Sequence, residues 1–305
     1  MDKNNFLGCL LGMAVGDAIG LPSEGLRPER RQRLFGELTN HRLFFGHGFV
    51  SDDTAHAIMT AQALVASGGD PTQFGRELAG RLKCWFLSLP PGIGKATAQA
   101  SLRLLVGIPP EHSGVFSAGN GPAMRSPIIG LFCAADTDDT RLRTLVRAST
   151  RLTHTDPKAE DGALAIAKAA ITLPAATELP QGPVSGYIVH TVAAALALTA
   201  RHPDNLRAAV IESVALGGDT DTVAAIVGGL IGARVGHEGI PTDWLAGLIE
   251  PWWSEKRLAK LATQLAQVAH SGTPQRPDAS FWLLTHALLL PIVLAHGFRR
   301  LFPPY

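Results

Sequence analysis

Apolar residues recur at three- and four-residue spacing along most of the chain, a pattern that predicts amphipathic α-helices. Residues 52–69 follow it and end at Gly68-Gly69, a helix C-terminal signal, and residues 71–89 begin with Pro and stop before Pro90-Pro91. No stretch of useful length alternates as a half-buried strand would. The sequence therefore predicts an all-α fold, with further helices at 139–154, 159–173, 185–200, 203–216, 221–236 and 254–270.

Two of the apolar stretches, 8–20 and 228–240, carry glycines four residues apart. That spacing places the glycines on one helix face and predicts close approach of another helix. Asp17, Arg234 and Glu238 interrupt the stretches and disfavour the membrane form of the motif. The glycines are Gly8, Gly12, Gly16 and Gly20 in the first stretch and Gly228, Gly232 and Gly236 in the second.

The segment 281–298 is apolar and about long enough to span a bilayer. His286, Pro291 and His296 interrupt it, so we expect a buried terminal helix and no membrane association. The N-terminus lacks the plan of a signal peptide. Residues 174–186 are rich in Pro and Gly and predict a surface loop within one domain.

Composition narrows the function classes. The 305 residues are 46% hydrophobic, enough for a sizeable core, and the net charge of +1 does not favour nucleic acid as a partner. The three cysteines, Cys9, Cys84 and Cys133, are widely spaced and predict buried small side chains in a reducing compartment. We therefore expect a cytoplasmic protein, which we take to be a monomer.

Acidic residues concentrate at two distant points, "FVSDDTAH" (49–56) and "SVALGGDTDT" (213–222). Each stretch places two aspartates and hydroxyl side chains at the start of a predicted helix. Ser or Asp at such a position can act only as an N-cap, with Asp favoured by the helix dipole, and the two glycines can form only a turn.

A second interpretation applies if the two stretches meet in the fold. Four carboxylates in one place repel strongly unless a cation neutralises them. Hard oxygen ligands suit Mg²⁺, Mn²⁺ or Ca²⁺ better than Zn²⁺. Spacing along the chain does not determine whether the stretches meet, so the cap and the metal-site interpretations both stay open.

Six motifs, in order, resemble the ADP-ribosylglycohydrolase family, which includes the hydrolase that reactivates ADP-ribosylated dinitrogenase reductase. The resemblance covers most of residues 6–245 and includes both acidic stretches. The motifs are "GCLLGMAVGDAIGLPSEG" (8–25), "SDDTAH" (51–56), "GNGPAMRSPIIG" (119–130), "RLTHTDP" (151–157), "GYIVHT" (186–191) and "GGDTDTVAAIVGGLIGARVGHEGIP" (217–241).

The resemblance implies a single all-α domain of orthogonal helices over 1–305, with two Mg²⁺ or Mn²⁺ ions at the bottom of a cleft. It implies that Glu24 and Asp53 act in catalysis by orienting or deprotonating water. Ser51 stands where the family usually has Thr, and the hydroxyl is kept. The implied metal ligands are Ser51, Asp52, Asp53, Asp219, Asp221 and Thr222.

The remaining motifs fit a nucleotide-sugar substrate. "SAGNGPAMR" (117–125) is a Gly-rich loop whose backbone N–H groups could cradle a diphosphate, although many such loops are plain turns. Arg125 at its end is alternatively a structural ion-pair partner, and His56 is expected to pack or to hold a ligand in place. The ADP-ribose contacts that the resemblance implies are Gly119, Asn120, Gly121, Met124 and His154.

One stretch departs from the family pattern. "PPGIGKAT" (90–97) places Gly92 and Lys95 where the dinitrogenase-reductase hydrolases have Asp-x-Gly-Asn-Thr. The difference affects the expected protein substrate and leaves the metal ligands untouched. Lys95 is either a solvated side chain or a contact to a phosphate or an acidic target.

The resemblance implies hydrolysis of the N-glycosidic bond between ADP-ribose and an arginine side chain, with an ADP-ribosylated protein or conjugate as partner. Three alternatives stay open at this point: another ADP-ribosyl linkage such as serine, nucleic acid or a free small molecule; a metal-dependent phosphoesterase; and a catalytically weak ADP-ribose-binding protein.

Overall fold

Helices provide almost all the regular structure in this computed structural model, which describes residues 1–250 and 252–303. The prediction of an all-α fold is confirmed. The helices are α1 (Lys3–Gly20), α2 (Pro28–Phe35), α3 (Asp52–Ser67), α4 (Pro71–Leu87), α5 (Lys95–Leu105), α6 (Pro110–Ser113), α7 (Gly121–Phe132), α8 (Thr140–Arg151), α9 (Pro157–Ile171), α10 (Ile188–Arg201), α11 (Leu206–Ala215), α12 (Thr220–Val235), α13 (Thr242–Ala246), α14 (Glu255–Ser271) and α15 (Trp282–Arg299).

Two short strands, β1 (Gly48–Phe49) and β2 (Leu248–Ile249), form a parallel pair in which Gly48 lies opposite Leu248. Each strand has two residues, too few for an alternating pattern to be visible in the sequence. β1 leads directly into the start of α3, so the pair fixes the approach to that helix. Residues 174–186 form the predicted loop, between α9 and α10.

Helices α1 and α12 form the centre of the molecule and approach each other through their glycines. A Cβ atom built on Gly12 would lie 2.1 Å from the carbonyl oxygen of Gly228, and one on Gly8 would lie 2.1 Å from that of Gly232. Only glycine allows two helix backbones this close. The predicted close approach is confirmed, and both helices are buried on nearly all sides, as helices that are apolar all round are expected to be.

The other helices surround this central pair. α3 and α14 pack against α1, and α11 and α10 pack against α12. α7 packs closely on α9, where a Cβ on Gly130 would lie 2.0 Å from the carbonyl oxygen of Ala167. This arrangement brings the N-termini of α3 and α12 together at one end of the central pair.

The terminal helix α15 is where the sequence prediction was wrong in part. The helix exists, but only 22% of it is buried, and Leu283, Leu294 and Phe298 are 54%, 63% and 64% exposed. One stripe faces the protein, through Trp282 and Leu289 among others, while the opposite face is apolar and open. An apolar composition therefore does not show that a helix is buried. The centre of this protein is occupied by α1 and α12, and α15 lies outside it.

Two helices, Lys3–Ser23 and Trp282–Arg299, are long and apolar enough to cross a membrane by length and composition alone. The first is 94% buried inside the protein, as a core helix of a folded domain would be. The expected absence of membrane association therefore stays a prediction.

The cysteine prediction is confirmed for Cys9 and Cys133, which are buried, and wrong for Cys84, which is exposed. Burial raises the pKa of the Cys9 and Cys133 thiols to about 12. Cys84 lies on the outward side of α4, since the inward positions of that helix are occupied by Phe74, Leu78 and Trp85, among others.

Candidate functional site

The two acidic stretches meet in the fold. Ser51 caps α3 by accepting a hydrogen bond from the Asp53 N–H at 3.2 Å, so the cap interpretation of the first stretch is correct. The Thr222 hydroxyl, in the first turn of α12, donates to Asp53 Oδ2 at 3.1 Å across 169 residues of sequence. Each acidic stretch is therefore a helix N-terminus and also part of one shared cluster.

Burial and mutual repulsion make this cluster unfavourable without a counter-charge. Burial, followed by the charges of Asp17 and Glu24, raises the pKa of Asp52 to about 8. The pKa values of Asp53 and Asp221 are also raised well above the ordinary value. Burial is the larger cause, and repulsion by neighbouring carboxylates is the second. Protons or a cation must offset such a concentration of charge.

Asp17 belongs to the same cluster, although sequence reasoning treated it only as an interruption of an apolar stretch. Its Oδ2 atom accepts hydrogen bonds from the Ser51 N–H at 2.8 Å, the Thr54 N–H at 3.1 Å and the Thr54 hydroxyl at 2.5 Å. Burial raises the pKa of Asp17 to about 6 despite these hydrogen bonds. The signal was present, since a lone acid in a glycine-rich apolar helix rarely lacks a buried partner.

Several buried carboxylate oxygens lack a hydrogen-bond partner, which is the observation that fits a cation. They are Oδ1 of Asp17, Asp53 and Asp221. An unpartnered buried oxygen is costly, and a hard divalent cation is the partner that an all-oxygen donor set would take. The donor chemistry therefore suits Mg²⁺ or Mn²⁺.

The carboxylates are not yet arranged around a common point. Among residues 1–250 and 252–303, no three His, Cys, Asp or Glu side chains stand at metal-ligand spacing. Protein groups occupy some of the oxygens instead: Asn120 donates to Asp219 Oδ2 at 2.7 Å, and Thr222 donates to Asp53 Oδ2. The Oδ1 atoms of Asp53 and Asp221 keep no partner, so these oxygens are the ones open to a cation.

A cavity of about 300 Å³ opens onto the cluster. Of the predicted ligands, Asp52, Asp219, Asp221 and Thr222 line it, whereas Ser51 and Asp53 lie behind the wall. All five predicted substrate contacts line the same cavity, and so does Glu24. The lining residues are Glu24, Asp52, Gly92, Gly94, Lys95, Ala96, Thr97, Ser117, Gly119, Asn120, Gly121, Met124, His154, Gly186, Asp219, Asp221 and Thr222.

A larger cavity, about 770 Å³, lies between α3, α4 and residues 274–280. Its acids are already neutralised, because Glu77 pairs with Arg81 and Asp278 with Lys260 at 2.5 Å. The smaller cavity is the candidate site, because it is lined by Asp221, whose Oδ1 atom has no hydrogen-bond partner, and borders the acidic cluster.

The Gly-rich stretch forms the wall facing the acids, but only part of it is a loop. The prediction of a loop over 117–125 is wrong at its end, because α7 begins at Gly121 and contains Met124 and Arg125. Gly119 and Gly121 make room for His154: a Cβ on Gly119 would lie 2.9 Å from His154 Nε2. The first turn of α7 thus borders the cavity, and the N-terminus of a helix is a favourable end for an anion.

Arg125 is fully buried and belongs to a network behind His154. Its guanidinium donates to Ser149 Oγ at 2.9 Å and to Thr153 Oγ1 at 2.8 Å, and its NH1 lies 3.1 Å from His56 Nδ1. The ion-pair interpretation is wrong for the described residues, because no carboxylate is among its hydrogen-bond partners there. Burial lowers the pKa of this guanidinium to about 9.

His154 is held in one orientation by the same network. Its Nδ1 lies 2.8 Å from Thr153 Oγ1, which leaves Nε2 beside Gly119 at the cavity. Burial, followed by the Arg125 charge, lowers the pKa of His154 to about 3. The ring is therefore neutral at ordinary pH. His56 packs against Trp85, with ring centroids 4.9 Å apart, and lies outside the cavity wall.

Glu24 stands at the cavity, after a 3₁₀ turn at Leu21–Ser23. The Gly25 N–H donates to the carbonyl of Gly218 at 2.7 Å, which ties the Glu24 segment to the loop before Asp219. Loss of hydration, then the Asp219 charge, raises the pKa of Glu24, while the Arg300 charge lowers it. Sequence reasoning missed Arg300, since a basic residue at the end of an apolar helix carries no signal of a site.

Gly92 and Lys95 both line the cavity, so the departure from the family pattern falls in its wall. Gly92 has φ +80°, a conformation that favours glycine, and Lys95 is the first residue of α5. Lys95 is exposed and places a positive charge at the mouth of an otherwise acidic cavity.

Comparisons with known proteins identify relatives along most of the chain. The family model described as ADP-ribosylglycohydrolase matches residues 2–180 and 169–275. An ADP-ribosyl-[dinitrogen reductase] glycohydrolase of Rhodospirillum rubrum is 27% identical over 79% of this chain and 89% of its own. An ADP-ribosylarginine hydrolase of Serratia proteamaculans is 25% identical over 86% of this chain and 79% of its own. A solved structure titled "ADP-ribosylglycohydrolase-related protein complex" matches with a TM-score of 0.67 and 28% identity, over 88% of this chain and 98% of its own.

Proposed function

The chain belongs to the ADP-ribosylglycohydrolase family, and we propose that it is a metal-dependent hydrolase that removes ADP-ribose from modified arginine side chains. The proposed reaction is hydrolysis of the N-glycosidic bond. The observation that carries it is the convergence of two acidic helix N-termini and a Gly-rich, His154-containing wall on one cavity. The two named relatives, which act on ADP-ribosyl protein or arginine linkages by their descriptions, support the substrate class.

Two Mg²⁺ or Mn²⁺ ions are the proposed cofactors. When bound, such ions fix a sugar diol, lower the pKa of a water and stabilise developing negative charge. Asp17 is not among the proposed ligands; its Oδ2 atom accepts three hydrogen bonds from the start of α3 and so supports that helix. The residues that would hold the ions are Ser51, Asp52, Asp53, Asp219, Asp221 and Thr222.

Of the two proposed catalytic carboxylates, Glu24 has the better position to accept a proton from water. It lines the cavity, and its pKa is raised, so it is a stronger base than an ordinary glutamate. Asp53 is 1% exposed and lies behind the wall, where it accepts hydrogen bonds from Thr222 and from its own cap Ser51. We propose that Asp53 orients the neighbouring side chains and contributes negative charge to the metal site, while Glu24 accepts the proton from the attacking water.

The opposite wall suits a diphosphate. The first turns of α5 and α7 line the cavity, and the positive end of each helix dipole favours an anion there. Lys95 adds a positive charge there, and the neutral His154 presents Nε2 as a hydrogen-bonding group. Asn120, whose side chain also contacts Thr191 Oγ1 at 3.0 Å, links this wall to Asp219.

The proposal is tested by incubating the protein with Mn²⁺ or Mg²⁺ and ADP-ribosylated arginine, serine or nucleic acid, and identifying products by mass spectrometry. Release of intact ADP-ribose from arginine supports it, and release from serine or nucleic acid supports another linkage. AMP as the product would indicate a phosphoesterase. Binding of ADP-ribose without any turnover would indicate a weak binding protein.

The matched variants are Asp221→Asn and Asp204→Asn. Asp204 is an exposed acid, with 75% of its side chain accessible, and lies outside the cavity. Asp221→Asn is expected to lose turnover at least about a hundredfold, because it removes a carboxylate from the centre, while Asp204→Asn keeps it. Full metal-dependent turnover by Asp221→Asn contradicts the proposed centre. Cytoplasmic location and a monomeric state stay predictions.

A further inference from the structure

The C-terminal end of α15 contacts the segment that carries Glu24. The Arg300 guanidinium donates from NH1 to the Glu24 carbonyl oxygen at 2.7 Å and from NH2 to the Pro22 carbonyl oxygen at 2.6 Å. His296, one turn earlier, places Nε2 3.0 Å from the same Pro22 oxygen. Two side chains at the C-terminal end of α15, His296 in the helix and Arg300 just after it, therefore hold the main chain on both sides of Ser23.

Other contacts fix this end of α15 in place. Arg30 of α2 donates to the Arg300 carbonyl oxygen, and the Phe35 ring stacks on His296 with centroids 5.8 Å apart. Further along the helix, Leu289 forms a small apolar cluster with Leu43 and Phe49, with Leu21 packed beside it. The end of α15 that carries Arg300 is therefore held in place by these contacts.

The segment that Arg300 holds leads directly to the acidic wall. The Gly25 N–H donates to the Gly218 carbonyl oxygen, and the Gly218 N–H donates to the Leu26 carbonyl oxygen at 2.8 Å. Gly218 immediately precedes Asp219. The Arg300 charge also interacts with the carboxylates of Glu24 and Asp221. A displacement of this segment would therefore move Glu24 and disturb its neighbours.

α15 lies beyond residue 275, where the family match ends. The contact between Arg300 and the Glu24 segment is thus made by a part of the chain that the family match does not include. A planar guanidinium with two donors on two carbonyl oxygens fixes orientation as well as distance, which a lysine ammonium does less well.

We propose that Arg300 is a positioning residue that holds the Glu24 carboxylate at the cavity by clamping the carbonyl oxygens of Pro22 and Glu24. α15 thereby completes the candidate site from outside the family-matched region. The inference rests on the proposed function, because it assigns Arg300 to the Glu24 of that site.

The test uses the full chain with Arg300→Gln, Arg300→Lys and, as the matched control, Arg299→Gln. Arg299 is the exposed neighbour and donates only to Pro303 among the described residues. Mn²⁺ affinity is measured by titration calorimetry, and kcat and KM on ADP-ribosyl-arginine are measured separately. Circular dichroism and Tm confirm that each variant folds.

Arg300→Gln is expected to lower kcat, Mn²⁺ affinity or both about tenfold or more, as loss of supporting hydrogen bonds around a metal site does, with KM changing less than kcat. Arg300→Lys is expected to recover part of the loss, and Arg299→Gln to stay within twofold of the parent. An Arg300→Gln protein that keeps both kcat and Mn²⁺ affinity overturns the proposal, as does an equal loss in Arg299→Gln.

A double variant separates positioning from general structural damage. If Arg300 acts through Glu24, then Glu24→Gln combined with Arg300→Gln loses little more than Glu24→Gln alone. Losses that add in full overturn the proposal. If no ADP-ribosyl substrate is hydrolysed, the proposed function fails, yet the Mn²⁺ titrations on the same five variants still decide whether Arg300 supports the centre.

Discussion

At the residue scale, the site depends on polar side chains that are buried without the usual compensation. Asp17 accepts three hydrogen bonds yet keeps one oxygen unpartnered, and Arg125 is buried with neutral partners. Groups of this kind are costly to a fold and persist where they orient functional side chains. Asp17 orients the start of α3, and Arg125 orients His154 through Thr153.

His154 predicts a pH dependence of stability. Its folded pKa of about 3 lies below the ordinary histidine value, so below about pH 6.5 the unfolded chain takes up a proton that the native state does not. The free energy of unfolding is therefore expected to fall with decreasing pH by up to about 1.4 kcal/mol per pH unit from this residue. Denaturant unfolding of His154→Asn between about pH 6.5 and 4 should show a shallower slope.

The exposed His112 provides the matched His→Asn control for that series. A slope in His154→Asn equal to that of the parent protein would show that the ring is not held neutral by its surroundings.

Lys95 predicts a contribution to anion binding. Lys95→Gln is expected to weaken ADP-ribose affinity about three- to tenfold, because an exposed charge contact is worth roughly 1 kcal/mol. The effect should shrink at high ionic strength. Calorimetric titration with ADP-ribose measures it, and Lys256→Gln, an exposed lysine on α14, is the control. Equal affinity of Lys95→Gln and the parent at low salt would place Lys95 in solvent.

At the scale of elements, the central helix pair and α15 show opposite relations between sequence and structure. The glycine spacing in α1 and α12 predicts close packing, and the two helix backbones are in contact. The apolar residues of α15 predict a buried helix, yet most of this helix is exposed. A row of glycines on one helix face allows close approach only by another backbone, so it indicates the kind of partner. Hydrophobicity indicates no particular partner.

Gly12→Ala is expected to destabilise the protein by about 3 kcal/mol, since the new methyl group would meet the Gly228 carbonyl oxygen and force α1 and α12 apart. Gly80→Ala, in α4, is the matched control because a Cβ there meets nothing within 4 Å. That change is expected to stabilise the helix by about 0.5–1 kcal/mol. Chemical denaturation of both variants measures the difference, and similar midpoints for the two would contradict close backbone packing.

At the scale of the whole molecule, the acidic cluster ties stability to cation binding. Bringing Asp52, Asp53, Asp219 and Asp221 together costs free energy that a divalent cation would return. Mn²⁺ is therefore expected to raise Tm, by an amount equivalent to about 2.7 kcal/mol when the ion is at about 100 times its Kd. Chelation should reverse the gain, and scanning calorimetry with Mn²⁺ or EDTA checks both.

Asp221→Asn separates the repulsion between carboxylates from the stabilisation by the bound cation. The variant is expected to be more stable than the parent in EDTA, because it removes one repelling carboxylate, and to gain less from Mn²⁺. Asp204→Asn, outside the cluster, should respond to Mn²⁺ as the parent does. A parent Tm that is identical in Mn²⁺ and EDTA would show that the cluster does not take up the ion.

The sequence by itself determined most of the helices, although not α2, α5, α6, α7 or α13. It also determined the glycine faces of α1 and α12, the position of the acids at helix N-termini and the family resemblance. These features are local, because helix periodicity, caps and motifs are set by residues within a few turns of one another. Even so, the start of α7 at Gly121 was missed, since a Gly-Pro sequence is typical of turns as well as of helix starts.

Only the tertiary structure decided that Thr222 meets Asp53, that Asp17 supports α3 and that Arg300 reaches the Glu24 segment. Each contact joins residues far apart in the chain, and it follows from which helix faces pack against each other. The burial of α1 and the exposure of α15 were decided in the same way, although both are long and apolar. Side-chain hydrophobicity is a property of one segment, while burial depends on whether another segment is there to cover it.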